Sequence, residues 1–171
     1  MTAGFAIETP RLILRGWREE DARPFQRICT DPDVMEHLGP PLTLREAEQA
    51  VVRQNAFLDS AGYCFWAMEH KDSSALMGFC GVKPGAVNTP IENRPEIGWR
   101  MGRNWWGAGY AREAAQASLD WMWANTGVDS VWAITTPANV RSWGLMERLG
   151  MTRHHELDFR SEEHTSELQS H

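Results

Sequence analysis

The sequence lacks the features that distinguish secreted, membrane-spanning and metal-binding proteins. Its three cysteines, Cys29, Cys64 and Cys80, are odd in number and have no CxxC spacing, which predicts reduced thiols in a cytoplasmic protein. No apolar run approaches the ~18 residues of a membrane span, and the first residues lack the basic start and apolar core of a secretion signal. No histidine pair has a metal-ligand spacing such as HExxH, so we expect no metal site and no membrane contact.

Positive charge is also scarce in this sequence. Seventeen Lys and Arg residues stand against 23 Asp and Glu, for a net charge of −6, which opposes a nucleic-acid-binding surface spread over the fold. The Gly-x-Ser-x-Gly motif of many serine hydrolases is absent. A length of 171 residues and a hydrophobic fraction of 42% are typical of one globular domain.

One glycine-rich stretch, residues 106–111 (WGAGYA), lies between a β-prone segment and an alanine-rich helical pattern. The first turn of a helix has unpaired N–H groups and the positive end of the dipole, and glycine allows a phosphate to approach them. On spacing alone, the stretch is either a chain reversal or a phosphate-binding turn. No lysine follows as in a P-loop, and Arg112 stands where the dinucleotide fingerprint needs Gly or Ala.

Periodicity along the rest of the chain predicts the order β-α-α-β-β-β-α-β-α-β. A capping-box pattern at residues 43–46 opens the second helix, and Asn139 is a natural N-cap for a helix over residues 140–148. Hairpins in the middle and helical crossovers near the end predict an α/β (α+β) fold. Its mixed, mostly antiparallel sheet would be covered by helices on both faces.

Five motifs occur in an order and spacing that together are specific, although each alone is weak. They are residues 8–15 (ETPRLILR), 95–99 (PEIGW), 106–111 (WGAGYA), 137–142 (PANVRS) and 149–151 (LGM). On these residues the chain resembles the GNAT superfamily of acyl-CoA-dependent N-acyltransferases, in the RimJ and RimL branch of ribosomal-protein N-terminal acetyltransferases. The resemblance implies an enzyme that moves an acetyl group from acetyl-CoA to a primary amine by direct attack on the thioester. The amine would belong to a protein N-terminus or a small molecule.

The resemblance also implies how acetyl-CoA binds. Its pyrophosphate would lie on the backbone N–H groups of residues 107–111, and its pantetheine arm would run along the backbone of residues 99–101. The implied cofactor-binding residues are Trp99, Arg100, Met101, Trp106, Gly107, Ala108, Gly109, Tyr110, Ala111 and Asn139. For Trp99 core packing is an equal alternative, and Asn139 can serve as a plain helix cap.

Two residues are candidates for the chemistry. Glu96 is the candidate base, acting through a water, because burial on its strand can raise the pKa of a carboxyl group. Its alternatives are anchoring of the substrate amine and a structural salt bridge. Met146 stands where much of the superfamily has a tyrosine, so Ser142 is the candidate hydrogen-bond donor to the leaving thiolate. A serine on a helix surface that bonds its own backbone is the alternative.

The end of the chain departs from the family pattern. Residues 160–171 (RSEEHTSELQSH) are either a solvated acidic tail or, as we favour, a non-native segment that resembles the translation of a DNA sequencing adapter. We therefore expect a single domain over residues 1–159 whose C-terminal strand is missing. Such a chain would have an exposed sheet edge and fold poorly. A non-catalytic acyl-CoA-binding sensor or scaffold is the alternative function, and both the acceptor amine and the choice between monomer and homodimer stay open.

Overall fold

A computed structural model describes residues 4–160 and 165–170 of the chain. Within these ranges, strands β1 to β9 are Ala6–Glu8, Leu12–Arg15, Phe65–His70, Leu76–Pro84, Pro95–Met101, Trp132–Thr135, Thr152–Arg153, Phe159–Arg160 and Thr165–Ser170. Helices α1 to α5 are Ala22–Ile28, Pro32–Met35, Leu44–Ala61, Tyr110–Asn125 and Val140–Arg148. Among the described residues, no helix is both long and apolar enough to cross a membrane.

All nine strands belong to one sheet in the order β1-β2-β3-β4-β5-β6-β9-β7, with β8 paired to β9. Every neighbouring pair is antiparallel except β5 and β6, which are parallel. The predicted mixed, mostly antiparallel sheet is therefore confirmed, and its single parallel pair lies near the middle.

Strands β5 and β6 part soon after they meet. β5 pairs with β4 over its whole length, from Pro84 opposite Pro95 to Gly78 opposite Met101. Its parallel register with β6 consists of one position, Glu96 opposite Trp132. Beyond that position residues 97–101 run on with no strand partner on this side among the described residues. The sheet thus opens into a cleft towards the carboxyl ends of both strands.

Helices cover both faces of the sheet, as predicted. Side chains of α4 and α5, among them Leu119 and Leu145, pack in one cluster with Trp66 and Met68 of β3. Side chains of α1, α2 and most of α3 form a second cluster with the intervening Ala67, while Leu58 near the end of α3 reaches the first cluster. The alternation of side chains along a strand therefore assigns α4 and α5 to one face and α1, α2 and α3 to the other.

Helix ends follow the local signals. Thr43 Oγ1 accepts a hydrogen bond from the Glu46 N–H at 3.1 Å, and the Glu46 carboxylate accepts one from the Thr43 N–H at 2.9 Å, which completes the predicted capping box of α3. Gly62 ends this helix with φ of +88°, a conformation that glycine adopts without strain. Helix α4 begins directly after the glycine-rich stretch, and the bounds of α5 agree with the predicted residues 140–148 after Asn139.

The expected absence of a C-terminal strand is corrected by the structure. β9 lies inside the segment 160–171 and pairs antiparallel with β6 at four positions and with β7 at two. Strand pairing uses backbone N–H and C=O groups, which every non-proline residue carries, so the polar TSELQS segment can cover the edge of β6. The expected exposed edge is thus absent and the expected poor folding loses its basis. The non-native origin of the tail and the boundary at residue 159 remain predictions.

A buried ion network holds the α1 side of the sheet. Arg15 on β2 donates two hydrogen bonds to the Asp21 carboxylate, at 2.8 and 3.0 Å, and one to Glu69 on β3 at 3.0 Å. All three residues are less than 9% exposed. A guanidinium this deep in the protein is tolerated because its donors are paired with carboxylates.

We expect Asp21→Ala to lower the free energy of unfolding by about 3–5 kcal/mol, because it leaves the Arg15 charge buried and half paired. Urea denaturation measures the change. Asp33→Ala is the matched control: it removes an exposed carboxylate paired with Arg103, which is worth less than about 1 kcal/mol. Equal losses for the two variants would show that the Arg15 network does not stabilise the fold.

Candidate functional site

The glycine turn depends on two residues with left-handed backbone. Gly107 has φ of +84° and Gly109 has φ of +81°, values that cost an L-residue about 1–2 kcal/mol. Gly109 is also the N-cap of α4, so the turn leads directly into the helix. Both glycines are therefore needed for the backbone path from β5 to α4.

The backbone donors of this turn are free. Among the described residues, the N–H groups of residues 107–112 donate no hydrogen bond, and the first bond of α4 runs from the Glu113 N–H to the Gly109 carbonyl at 3.0 Å. A Cβ built on Gly107 would meet no atom within 4 Å, so the turn is open to a ligand. Free donors at the positive end of a 16-residue helix form a seat for an anion.

The beginning of the chain holds this seat in place, which motif reading alone did not reveal. Glu113 in the first turn of α4 accepts hydrogen bonds from Thr9 Oγ1 at 2.6 Å and from Arg11 Nε at 2.7 Å. Arg11 also donates to the Ala108 carbonyl at 2.9 Å and lies 4.1 Å over the Tyr110 ring. Burial opposes ionisation of Glu113, but the bonds from Thr9 and Arg11 outweigh it and lower the pKa of this carboxyl group.

Trp106 links the turn to α5. Its indole N–H donates to the Met101 carbonyl at 2.9 Å, which closes the segment between β5 and the turn. The Arg141 guanidinium, in the first turn of α5, lies 3.9 Å from the centre of the Trp106 ring. This cation–π contact brings the N-termini of α4 and α5 to the same end of the cleft. Motif reading did not predict a role for Arg141.

The predicted residues of α5 lie at that end as well. Asn139 Oδ1 accepts a hydrogen bond from the Ser142 N–H at 3.4 Å, so Asn139 acts as a helix cap. The Ser142 hydroxyl is half-buried and has no hydrogen-bond partner among the described residues, so its donor is available. Met146 is buried in the core next to α4, where its side chain fills space.

Side chains on β5 divide between the two faces. Trp99 and Met101 pack against the cluster that includes α4 and α5. Trp99 thus contributes to core packing, which was the alternative role considered from the sequence. Positions 96, 98 and 100 alternate with them, so the side chains of Glu96 and Arg100 point to the face of α1 and α3. The backbone of residues 99–101 lies between these faces, along the open side of the cleft.

Glu96 is paired with a lysine that sequence reasoning missed. Its carboxylate accepts from Lys83 Nζ at 3.2 Å across the β4–β5 pair, and both side chains are about 15% exposed. Burial raises the pKa of Glu96, whereas the charge and hydrogen bond of Lys83 and a backbone bond from Ala86 lower it; burial prevails. A raised pKa suits a proton acceptor, while the ion pair also matches the structural role considered from the sequence.

Two stacked rings separate this ion pair from Arg100. Phe65 and Phe79 stack at 4.9 Å between ring centres; Lys83 lies 5.4 Å over the first ring and Arg100 5.6 Å over the second. Gly98 makes room for the Phe65 ring, since a Cβ there would lie 2.6 Å from it. We call these five side chains, Glu96, Lys83, Phe65, Phe79 and Arg100, the Phe65 strip. The two rings form an apolar surface, with the Glu96–Lys83 ion pair at one end and Arg100 at the other.

An open groove of about 540 Å³ continues from the Arg100 end. Its lining residues are Arg27, Ile28, Asp31, Val34, Gly102, Arg103 and Asn104. It lies between the end of α1 and the segment after β5.

The predicted site residues therefore fall in two places. Residues 99–101, the glycine turn, Asn139 and Ser142 gather around the carboxyl end of the cleft, on the side of α4 and α5. Glu96 lies at the other end of β5, about 17 Å from Met101 for a rise of ~3.4 Å per residue. A ligand that contacts both the glycine turn and the neighbourhood of Glu96 must therefore be long and extended.

The fold and the site define the class of protein. An open, mostly antiparallel sheet with a splayed parallel pair and an anion seat after the fifth strand is the architecture of GNAT N-acetyltransferases. Residues 11–152 match the family described as "Acetyltransferase (GNAT) domain", which covers more than half of the chain. The chain therefore belongs to this family, whose members use acetyl-CoA, and the resemblance of the motifs to the GNAT superfamily is confirmed.

Relatives agree with this assignment. The uncharacterized protein YkkB of Bacillus subtilis (strain 168) is 32% identical over 154 residues, which cover 88% of this chain and 87% of YkkB. The uncharacterized N-acetyltransferase p20 of Bacillus licheniformis is 27% identical over 149 residues, covering 86% and 82% of the two chains.

Solved structures share the fold. An acetyltransferase from Agrobacterium tumefaciens str. C58 aligns with a TM-score of 0.84 at 23% identity, covering 98% of this chain and 94% of the other. The ribosomal L7/L12 alpha-N-protein acetyltransferase RimL in complex with coenzyme A aligns with a TM-score of 0.78 at 14% identity, covering 98% and 97%.

We expect Gly107→Ala to weaken the binding of coenzyme A about tenfold, as measured by titration calorimetry. Alanine disfavours the left-handed backbone by more than ~1 kcal/mol, so the turn changes path and its N–H groups turn away from the ligand. Gly127→Ala is the matched control, because Gly127 also has nothing within 4 Å of an added Cβ but does not have a positive φ. Unchanged affinity in Gly107→Ala would exclude this turn from the cofactor site.

Proposed function

We propose that this chain transfers the acetyl group of acetyl-CoA to a primary amine by direct attack of the amine on the thioester. The observation that carries the proposal is the row of free backbone donors at residues 107–112, which lies at the open end of the β5–β6 cleft. A pyrophosphate fits such a seat, and the cleft gives the rest of an extended acyl-CoA a path across the sheet.

The pantetheine arm runs along residues 99–101 in this proposal. Strand β6 has already diverged from β5 there, so the backbone groups on the open side of β5 are available to amide groups of the arm, apart from the Met101 carbonyl, which already accepts from the Trp106 indole. The arm would be held like an added strand, and its length matches the need for a ligand that reaches from the glycine turn towards Glu96. Trp106 and Asn139 position the two helix N-termini that flank it.

The reaction then needs one proton acceptor and one proton donor. The neutral amine nitrogen forms a bond to the thioester carbon, the carbon–sulfur bond breaks, and the amine loses a proton while the coenzyme A thiolate gains one. A free α-amino group has a pKa near 8, so a weak base acting through a water can deprotonate it. Glu96 is the proposed base, with Lys83 holding its carboxylate in position.

Ser142 is the proposed donor to the leaving thiolate. Its hydroxyl has no partner among the described residues and lies in the first turn of α5, beside the cap Asn139. A hydrogen bond from this hydroxyl would stabilise negative charge on sulfur without full proton transfer. RimL, named as an alpha-N-protein acetyltransferase, shares the fold and makes a protein N-terminus one of the candidate acceptors.

The first test is the release of coenzyme A thiol from acetyl-CoA with a panel of amino acids, polyamines and peptides with free N-termini. We expect turnover with at least one of these amines. Glu96→Gln should lower kcat about 100-fold through loss of the base. Ser142→Ala should lower kcat about fivefold through loss of one hydrogen bond.

Exposed residues on α3 provide the controls, namely Glu48→Gln and Ser60→Ala, which should retain the wild-type rate. Wild-type turnover in Glu96→Gln and Ser142→Ala would remove these residues from the mechanism. Tight binding of acetyl-CoA without transfer to any amine would instead support the sensor or scaffold function.

The pH dependence tests the role of Glu96 separately. A base must be deprotonated, so kcat falls as the pH drops through its pKa. Lys83→Met removes the charge and hydrogen bond that lower the pKa of Glu96, while burial still raises it. We expect the acidic limb of the kcat profile to move to higher pH, because the pKa of Glu96 rises when the Lys83 charge is removed.

The matched control is Lys71→Met, because Lys71 is the only other lysine and pairs with Glu8, which is largely exposed. Its acidic limb should coincide with that of the wild type. An acidic limb that stays in place in Lys83→Met would show that Glu96 is not the base.

A further inference from the structure

Arg100 is a half-buried cation without an anionic partner. Its Nη1 donates to the Cys29 thiol at 3.3 Å, and its Nε is buried without any hydrogen-bond partner. No carboxylate lies within 4 Å of its guanidinium in the described parts of the chain. A thiol is a weak acceptor, and a guanidinium has five donors, so most of its hydrogen-bonding capacity is unused.

Arg15 shows what a structural arginine looks like in the same molecule. Its guanidinium donates to Glu69, to both oxygens of Asp21 and to the Gly16 carbonyl. Leaving polar groups of Arg100 unpaired in a partly buried place costs free energy that packing on Phe79 alone does not explain. An unpaired buried donor of this kind suggests a partner that is not part of the chain.

The position of Arg100 indicates which ligand carries the anionic group that would pair with it. The proposed cofactor site uses the N-termini of α4 and α5, whose helices cover one face of the sheet. Arg100 points to the other face, at one end of the Phe65 strip, while Glu96 lies at the other end. The acceptor amine would reach a thioester in the cleft from this second face. The Phe65 strip would therefore face the acceptor, while the nucleotide part of coenzyme A would lie on the face of α4 and α5.

We infer that Arg100 binds a carboxylate of the acceptor, so that the substrate class is an amine that also carries a carboxylate. This inference rests on the proposed function and narrows its acceptor. A guanidinium holds a carboxylate with two parallel hydrogen bonds, and the free Nε is one of the donors that such a pair uses. The rings of Phe65 and Phe79 would contact the apolar part of the acceptor between its two charged ends.

The groove beside Arg100 extends this site. Arg27 and Ile28, which directly precede Cys29, line it together with Gly102, which follows Arg100 by two residues. The groove carries both signs of charge: Arg27 is exposed, Asp31 lines the groove with it, and Arg103 is paired with Asp33. The carboxylate can therefore belong either to a free amino acid or to an acidic side chain of a peptide whose remaining residues lie in the groove.

The test uses pairs of acceptors that differ by one charge: glutamine against glutamine 1-amide, and the dipeptide amides Ala-Glu-NH₂ against Ala-Gln-NH₂. Thiol release is compared at equal concentrations of neutral amine. The wild type should favour the carboxylate member of at least one pair by about tenfold or more in kcat/KM. The pair that shows the preference distinguishes an amino acid from an acidic peptide.

Arg100→Gln should bring the ratio within a pair close to one, and Arg100→Lys should retain part of the preference because it keeps the charge but not the fork of donors. Arg53→Gln, which removes an exposed charge on α3, should retain the wild-type ratio. Thermal denaturation shows whether each variant is folded. If Arg100→Gln is unfolded, the kcat/KM ratio of Arg100→Lys decides the test, and a ratio below that of the wild type supports the inference.

A binding measurement makes this inference independent of turnover. Calorimetric titration of each carboxylate member into protein saturated with coenzyme A should show binding by the wild type, at least tenfold weaker binding by Arg100→Gln and an intermediate affinity for Arg100→Lys. Transfer to uncharged amines with no preference for carboxylates, or a preference that survives in both Arg100 variants, would overturn the inference. Carboxylate binding through Arg100 without any acetyl transfer would instead overturn the proposed function and leave the site.

Discussion

The separation of β5 from β6 is the constraint on which the rest of the site depends. Two parallel strands that share one register position, Glu96 opposite Trp132, leave the open side of β5 without a strand partner for five residues in the described part of the chain. Unpaired strand edges are normally covered, and here the neighbouring elements are arranged so that a ligand can cover this one. The same divergence sends each strand into its own helix, so the N-termini of α4 and α5 meet across the gap and are joined by Arg141 and Trp106.

The sheet also separates two kinds of chemistry. On the side of α4 and α5, recognition relies on backbone N–H groups, which bind an anion whatever the neighbouring side chains are. On the side of α1 and α3, the surface is made of side chains: stacked rings, an ion pair and an arginine with unused donors. In the proposed arrangement acetyl-CoA binds at the first kind of site, and side-chain substitutions at the second would change the acceptor and leave the anion seat intact.

Local signals predicted those parts of the fold that short stretches of sequence determine. The first residues of α4 and α5 follow from the N-caps Gly109 and Asn139, because capping involves residues close together in the chain. Strand β1 and helix α2, with three and four residues, are too short to show a periodicity. Lys83 pairs with Glu96 because of the strand register, and Arg11 pairs with Glu113 because of tertiary packing. Strand β9 pairs with β6 through backbone groups, which any polar segment has. Such contacts could not be read from motif spacing.

Thr9 and Arg11 contact Glu113 across more than 100 positions of sequence, and this gives the cofactor seat a thermodynamic link to the start of the chain. Any ligand that stabilises the first turn of α4 must also favour the state in which the segment before β2 is docked. Part of the binding free energy would then be spent on ordering that segment, so amide protons of β1 and β2 would exchange more slowly when the seat is filled. Strands β1 and β2 lie far from β5 in the sheet order, yet they would report on occupancy of the cleft.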